Sequence, residues 1–345
     1  MIASGAHDPW LQQQLGVLAF EQRWPWIGGD LQTLRDTLRP VRLPSECGEP
    51  VLVDVPALAS GAAAAGQLLA LLDQPTVAPR GLVLLLHGLG GSSSREGLRR
   101  MGLALQAGGF AVLRLNLRGA DPGRHLAGGT YAARCNSDLL PVITRARELA
   151  CGRPLFGAGI SLGGTMLLNA CLAQPGVLDG LFCASSPLDL AACSASIERP
   201  RNRVYQRWLL QRLVRQTLAD PFGVSDREQR QLSGDAAPRT IRAFDRAVTA
   251  PRWGFDDVDA YYQGASPLQH LIAAPNRLPP TLLLQAMDDP WVPAVSALSL
   301  QEALPEESSI RQTFTRRGGH NGFHGRGGCW GDQLALRWLQ SILER

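Results

Sequence analysis

The stretch Pro154-Leu155-Phe156-Gly157-Ala158-Gly159-Ile160-Ser161-Leu162-Gly163 joins an apolar run to a helical pattern through a serine flanked by glycines. Pro154–Gly159 predicts a buried strand, and residues 162–174 predict a helix directly after it. Ser161 then lies on the sharp strand-to-helix turn that exposes a nucleophilic serine at the edge of a sheet. Gly159 and Gly163 favour this turn, because a Cβ at either position would collide with neighbouring backbone. The alternative is an ordinary turn in which Ser161 caps the helix.

Apolar runs of strand length alternate with helical patterns along most of the chain. Leu82–Leu86, for example, is apolar at every position, as a strand covered on both faces requires. The predicted strands are Val51–Val55, Gln67–Leu72, Gly81–Leu86, Phe110–Leu115, Pro154–Gly159, Gly180–Ala184, Thr281–Gln285 and Ile310–Thr315. Helices are predicted near 95–107, 137–150, 162–174, 292–303 and 330–343. This order predicts an α/β fold with a mostly parallel eight-stranded sheet flanked by helices.

The alternation stops between about residues 191 and 271, a stretch too long for a simple connection in a compact domain. We predict a single domain with an N-terminal arm (1–50), a core (51–190 and 272–345) and a helical cap insertion (191–271) after the sixth strand.

Within this insertion, Asn202–Leu218 predicts an amphipathic helix. Its predicted apolar face carries Val204, Trp208, Leu210, Leu213 and Val214, and the opposite face carries Arg207, Gln211, Arg212 and Arg215. We expect the basic face to be solvated; a weak contact with anionic lipid head groups is the alternative.

The composition excludes several function classes. The 345 residues carry a formal net charge of only +4, every basic residue is Arg, and no nucleic-acid-binding motif occurs, so we expect no nucleic-acid partner. Seven Cys without a C-x-x-C pair argue against a disulfide framework or zinc site and favour a reducing compartment. Met1–Trp10 lacks the features of a secretory signal, and no stretch suits a membrane span, so we expect a cytoplasmic protein without a transmembrane segment.

A serine hydroxyl needs a base to remove its proton. Of six histidines, His320 follows the last predicted strand, within Gly318-Gly319-His320-Asn321-Gly322, where the base follows the serine and the acid in chain order. His324 stands four residues on, but no third ligand accompanies the pair, so we expect no metal. His87 is expected to be structural.

The acid that orients the base is expected between Ser161 and His320, beyond a late strand. Asp288 and Asp289 both follow the strand Thr281–Gln285, and Asp189 follows the sixth strand. A buried carboxylate at any of these positions would fix the imidazole tautomer and stabilise the imidazolium.

Two backbone amides are needed to stabilise a tetrahedral intermediate. One is the N–H of Leu162, directly after the serine, and the second is expected from Leu89 in the loop His87-Gly88-Leu89-Gly90-Gly91. A phosphate-binding loop is the alternative for this segment, but the Gly-Lys-Ser/Thr ending is missing. No cofactor is implied.

The insertion is expected to roof an apolar substrate pocket. Its candidate lining residues are Trp208, Trp253, Tyr261 and Tyr262. Packing of these aromatic side chains within the insertion is the alternative.

Over most of its length the chain resembles the YheT-like esterase group of the α/β-hydrolase superfamily. The resemblance is carried by Gly28–Leu34, His87–Ser92, Asn116–Gly119, Gly159–Gly164, Val204–Arg207, Phe244-Asp245 through Thr249-Ala250, Tyr261-Tyr262, Asp288–Pro290 and Gly318–His320 with Gly322-Phe323. It implies Asp289 as the acid, because the spacing Asp289-x-x-Val292-Pro293 recurs after this strand in α/β-hydrolases. The chain departs from the group at Asp30, where His is usual, and at Tyr131–Arg134, where Tyr-His-x-Gly is usual.

We therefore predict a serine esterase that cleaves short- to medium-chain or lipid-like carboxylic esters through an acyl-enzyme. Two alternatives stay open: an acyltransferase that passes the acyl group to an alcohol, and a non-catalytic binding protein on the same fold.

Overall fold

The computed structural model describes residues 9–344, so most of the Met1–Trp10 stretch discussed above lies outside the described residues. Eight strands form one sheet: β1 (Glu49–Val55), β2 (Gly66–Asp73), β3 (Leu82–Leu86), β4 (Ala111–Leu115), β5 (Leu155–Ile160), β6 (Gly180–Ala184), β7 (Thr281–Ala286) and β8 (Ile310–Thr315). Two-residue strands β9 (His324–Gly325) and β10 (Gly328–Cys329) form a small hairpin. All eight sheet strands agree with the predicted runs to within two residues at either end.

The strand order is β1-β2-β4-β3-β5-β6-β7-β8. β2 pairs antiparallel with both β1 and β4, whereas β4 through β8 pair in parallel. The prediction of a mostly parallel eight-stranded sheet is therefore confirmed. Because parallel strands end at the same edge, the loops after β3, β5, β6, β7 and β8 emerge side by side.

Helices flank the sheet. Before β6 they are α1 (Pro9–Leu15), α2 (Gly29–Leu38), α3 (Glu96–Ala107), α4 (Asn136–Ala150) and α5 (Leu162–Ala173). Between β6 and β7 lie α6 (Leu190–Ile197), α7 (Arg203–Leu218), α8 (Asp226–Leu232), α9 (Ile241–Phe244), a π-helical turn (Asp245–Thr249), α10 (Ala250–Arg252), α11 (Val258–Ala265) and α12 (Leu268–Ala273). The chain ends with α13 (Val295–Ala303) and α14 (Trp330–Leu343), and short 3₁₀ turns occur at Gly123–His125, Pro200–Asn202, Gly234–Ala236 and Pro275–Arg277.

Both faces of the central strands are buried. In β3, Leu82, Leu84 and Leu86 belong to one hydrophobic cluster, while Val83 and Leu85 belong to a second cluster on the opposite face. This arrangement explains why β3 is apolar at every position. None of the helices within residues 9–344 combines the length and apolarity that a bilayer crossing needs.

The buried face of α7 differs from the predicted one. Val204 is 79% exposed and Trp208 is 45% exposed, although both were assigned to the apolar face. The helix does bury Leu210 and Leu213, as predicted, but together with Gln206, Leu209 and Thr217. The reason is that α7 packs on a small core formed within the segment between β6 and β7 rather than on the sheet, which rotates its buried stripe.

A buried ion pair joins the loop after β4 to α4. Arg118 donates two hydrogen bonds of 2.8 Å to the Asp138 carboxylate, and both side chains are nearly inaccessible. Replacing Asp138 with Asn leaves the guanidinium without its counter-charge in the interior.

We predict that Asp138→Asn lowers the free energy of unfolding by about 3–5 kcal/mol, measured by urea denaturation. The matched control is Glu148→Gln on the same helix, because its partner Arg145 and Glu148 itself are about half exposed. This control should change the free energy by less than about 0.5 kcal/mol. Equal losses from the two variants would contradict the prediction.

Candidate active site

Ser161 lies on a strained turn between β5 and α5. Its φ of 54° and ψ of −127° are unfavourable for a residue with a side chain. The turn is held by a hydrogen bond from the Ser161 N–H to the Ala184 carbonyl (2.8 Å) and by close packing at Gly163. A Cβ at Gly163 would stand 2.6 Å from the carbonyl oxygens of Leu86 and His87. Only glycine therefore lets α5 approach the end of β3 this closely.

The structure brings Ser161, His320 and Asp289 into one hydrogen-bonded row. His320 Nε2 lies 3.0 Å from Ser161 Oγ, and His320 Nδ1 lies 2.9 Å from Asp289 Oδ2. The Asp289 side chain is fully buried, and its other oxygen accepts the N–H groups of Trp291 (2.8 Å) and Val292 (3.0 Å). This geometry can move a proton from the hydroxyl to the imidazole.

The two other candidate acids have different partners. Asp288 Oδ1 accepts the Gly319 N–H at 2.9 Å, and Asp189 Oδ1 accepts the Ala192 N–H at the start of α6 at 3.0 Å. Asp288 therefore braces the loop that carries His320, and Asp189 caps a helix.

Two residues that sequence reasoning did not single out position the His320 loop. Thr33 Oγ1 accepts the His320 N–H at 2.8 Å, and Gln32 is fully buried between Trp26 and His324. Gln32 also accepts the His324 N–H at 2.7 Å through its side-chain oxygen. The only signal in the sequence was the resemblance carried by Gly28–Leu34, which suggested no role.

The His320 ring also contacts an aromatic side chain. The Trp291 ring lies 4.4 Å from it between centroids, at an interplanar angle of 31°. Trp291 thus contacts His320 with its ring and Asp289 with its backbone N–H.

Leu89, Ser161 and Leu162 line one cavity. Within residues 9–344, neither the Leu89 N–H nor the Leu162 N–H has a hydrogen-bond acceptor. The neighbouring loop groups are engaged, since the Gly90 N–H donates to Tyr131 Oη (2.6 Å) and the Gly91 N–H donates to the Gly88 carbonyl (3.0 Å). Leu89 and Leu162 are thus free to donate to an oxygen in the cavity.

His87 fixes the base of this loop. Its Nδ1 lies 2.8 Å from the Gly88 carbonyl, and its Nε2 lies 3.3 Å from the Leu117 nitrogen, which donates to it. These contacts require a neutral ring protonated on Nδ1. Burial lowers the pKa of His87 to about 4, which keeps the ring neutral at physiological pH.

A cavity of about 340 Å³ opens beside Ser161 and His320. Its walls are mostly apolar, and Trp208, Tyr261 and Tyr262 are among its lining residues. Trp253, the fourth predicted lining residue, is not. Its indole N–H donates to the Thr130 carbonyl at 2.8 Å, and its ring packs against the main core, which holds it away from the cavity.

Asp245, on the π-helical turn, adds a polar group to this lining. Its carboxylate accepts hydrogen bonds from Thr249 (2.7 Å) and Tyr262 (2.9 Å), and burial raises its pKa to about 6. Among the described residues Asp245 has no cationic partner. Two other aspartates of the cavity lining, Asp36 and Asp332, both pair with Arg100.

His324 does not join His320 in a common site. Its Nε2 faces Asp36 Oδ1 at 3.2 Å, on the other side of Gln32.

The buried neutral His87 predicts a specific dependence of stability on pH. Because its folded pKa lies below the unfolded value of about 6.5, the unfolded chain takes up a proton first, and stability is lost as pH falls below that value. We predict that the drop in unfolding free energy between pH 7.5 and pH 5 is smaller by about 2 kcal/mol in His87→Gln than in the wild type. The exposed His125→Gln is the control, and an unchanged drop in His87→Gln would overturn the assignment.

Sequence comparison identifies the family of the chain. The family model Hydrolase_4, described as serine aminopeptidase, S33, matches residues 77–324, a span that includes Ser161, Asp289 and His320. Phospholipase ABHD3 of Mus musculus is 31% identical over 278 residues, which cover 77% of this chain but only 64% of ABHD3. YheT of Escherichia coli strain K12, which carries an esterase name, is 30% identical over 275 residues, covering 76% of this chain and 77% of YheT.

Solved structures share the fold at low sequence identity. The 2,6-dihydroxy-pseudo-oxynicotine hydrolase aligns with a TM-score of 0.55 and 15% identity, covering 91% of this chain and 72% of that one. An acylaminoacyl peptidase of Pyrococcus horikoshii aligns with a TM-score of 0.53 and 16% identity, covering 90% of this chain and 43% of that one. The fold is that of the α/β-hydrolases, and the chain belongs to the Hydrolase_4 family.

Proposed function

We propose that the protein is a serine esterase that cleaves carboxylic esters through an acyl-enzyme on Ser161. The observation that carries this proposal is the double contact of His320, with Ser161 Oγ on one ring nitrogen and Asp289 on the other. A non-catalytic binding protein would not need these three groups in one row at the edge of a cavity.

In the first half-reaction, Ser161 Oγ attacks the ester carbonyl carbon while His320 Nε2 takes the hydroxyl proton. The carbonyl oxygen becomes an oxyanion that the N–H groups of Leu89 and Leu162 stabilise. The C–O bond to the alcohol then breaks, and the alcohol leaves with the proton from His320. Asp289 stabilises the imidazolium throughout.

In the second half-reaction, a water molecule gives a proton to His320 and attacks the acyl carbon. The second oxyanion collapses, the bond to Ser161 Oγ breaks, and His320 returns the proton to the serine. The products are a carboxylic acid and an alcohol, and no cofactor takes part in any step of this scheme.

The mostly apolar cavity wall supports an acyl chain or another lipid-like group as the part of the substrate bound next to Ser161. The relatives named phospholipase and esterase support the same substrate class. We assign Trp208, Tyr261 and Tyr262 to this pocket, and we propose that the helices of residues 191–271 act as its cap.

Substitution of two neighbouring carboxylates, Asp289 and Asp288, tests the catalytic assignment. We predict that Asp289→Asn lowers kcat for p-nitrophenyl butyrate by about 10⁴-fold, because the amide favours the wrong imidazole tautomer. Asp288→Asn is the matched control, since its side-chain oxygen can still accept the Gly319 N–H, and it should retain most activity. Ser161→Ala should abolish labelling by a fluorophosphonate. Equal activity of Ser161→Ala and the wild type would refute the proposal.

A second candidate function is acyl transfer to an alcohol. It is favoured by a relative from Saccharomyces cerevisiae named medium-chain fatty acid ethyl ester synthase/esterase 2, which is 28% identical over 267 residues, covering 69% of this chain and 57% of that protein. The same residues would perform both reactions, and the acceptor alone would differ.

The partition of products separates the two reactions. If the protein is an esterase, p-nitrophenyl octanoate with a dilute alcohol should yield mainly octanoic acid, because water outnumbers the alcohol at the acyl-enzyme. Chromatography that finds mainly the alkyl octanoate at millimolar alcohol would identify a transferase instead.

A further inference from the structure

The segment between β6 and β7 has a hydrophobic core of its own. This core consists of Ile197, Leu209, Leu210, Leu213, Leu232, Ile241, Phe244 and Val248. Leu89, from the loop after β3, and Trp291, from the loop after β7, pack against it. Leu89 carries an amide that has no acceptor within residues 9–344, and Trp291 carries the ring beside His320. The insertion therefore contacts the site at two places.

A hydrogen bond reinforces the contact on the Leu89 side. Arg212 of α7 donates through Nε to the Gly90 carbonyl at 2.5 Å. The side chain also packs closely there, since a Cβ on Gly90 would lie 2.9 Å from Arg212 Cδ. Arg212 therefore holds one side of the Gly90–Gly91 peptide group.

The hydrogen bond from Arg212 constrains the Leu89 amide through two planar peptide groups, Gly90–Gly91 and Gly88–Leu89. The Gly91 N–H, which belongs to the peptide whose carbonyl Arg212 holds, donates to the Gly88 carbonyl. The Gly88 carbonyl and the Leu89 N–H belong to one trans peptide and point in opposite directions. Fixing the Gly90 carbonyl therefore helps to fix the direction of the Leu89 N–H.

Besides the Gly90 carbonyl, Arg212 contacts the Trp208 ring, whose centroid lies 5.8 Å from the guanidinium carbon. Within residues 9–344 no carboxylate lies within salt-bridge distance of it, and its guanidinium is partly buried near Arg95 and Tyr131. A charged donor to a carbonyl forms a stronger bond than a neutral one. Arg212 lies on the helix face for which solvation, or alternatively a weak contact with anionic lipid head groups, is predicted.

We propose that Arg212 is a positioning residue that aims the Leu89 N–H at the oxyanion, so that seating of the insertion completes the catalytic site. The insertion then contributes to the rate of the chemical step as well as to substrate fit. This proposal rests on the proposed esterase function.

Steady-state kinetics with p-nitrophenyl butyrate test it. Arg212→Ala should lower kcat about tenfold, because one of two oxyanion donors is misdirected rather than removed. KM should change by less than about twofold, since the ground state does not use this bond. Arg212→Lys and Arg212→Gln retain an N–H donor and should recover part of the rate. Arg207→Ala, an exposed arginine on the same helix, is the matched control and should behave like the wild type.

A trifluoromethyl ketone gives a second measurement, because addition of Ser161 turns its carbonyl into an oxyanion. Its inhibition constant should rise about tenfold in Arg212→Ala and stay unchanged in Arg207→Ala. An unchanged inhibition constant, a change in KM alone, or an equal loss in Arg207→Ala would overturn the role of Arg212. Failure of the wild type to form the ketone adduct would instead overturn the proposed function.

Discussion

The backbone of Ser161 is held in a conformation that costs a side-chain-bearing residue free energy, and the site depends on the contacts that hold it there. The Ala184 carbonyl accepts its N–H, and the glycine at 163 lets α5 press against the end of β3. The same close approach brings the Leu162 amide next to the loop that carries Leu89. A side chain at Gly163 would therefore displace Ser161 and the Leu162 amide together.

The parallel register explains why groups far apart in the chain meet. Gly159 of β5 lies opposite Leu86 of β3, and β6, β7 and β8 continue the same register. The loops that carry Leu89, Asp289 and His320 consequently begin at one edge of the sheet. Thr33 of α2 then fixes the last of these loops by accepting the backbone N–H of His320.

Most of this architecture could be predicted because its signals are local. Strands buried on both faces are apolar at every position, and the sharp turn between β5 and α5 needs glycines at fixed places around Ser161. What could not be predicted depends on contacts between distant segments. The buried face of α7 follows from a core that only the folded insertion creates, and Trp253 is drawn away from the cavity by the Thr130 carbonyl. The role of Thr33 is equally non-local, since 287 positions separate it from His320.

In the proposed mechanism, Ser161 shares one oxyanion site with the amides of Leu89 and Leu162. A crystal structure of the protein modified by a fluorophosphonate tests it most directly. The phosphoryl oxygen should lie within hydrogen-bond distance of both nitrogens, about 2.7–3.1 Å, with phosphorus bonded to Ser161 Oγ. A phosphoryl oxygen pointing away from both amides, or an adduct on another residue, would contradict the account.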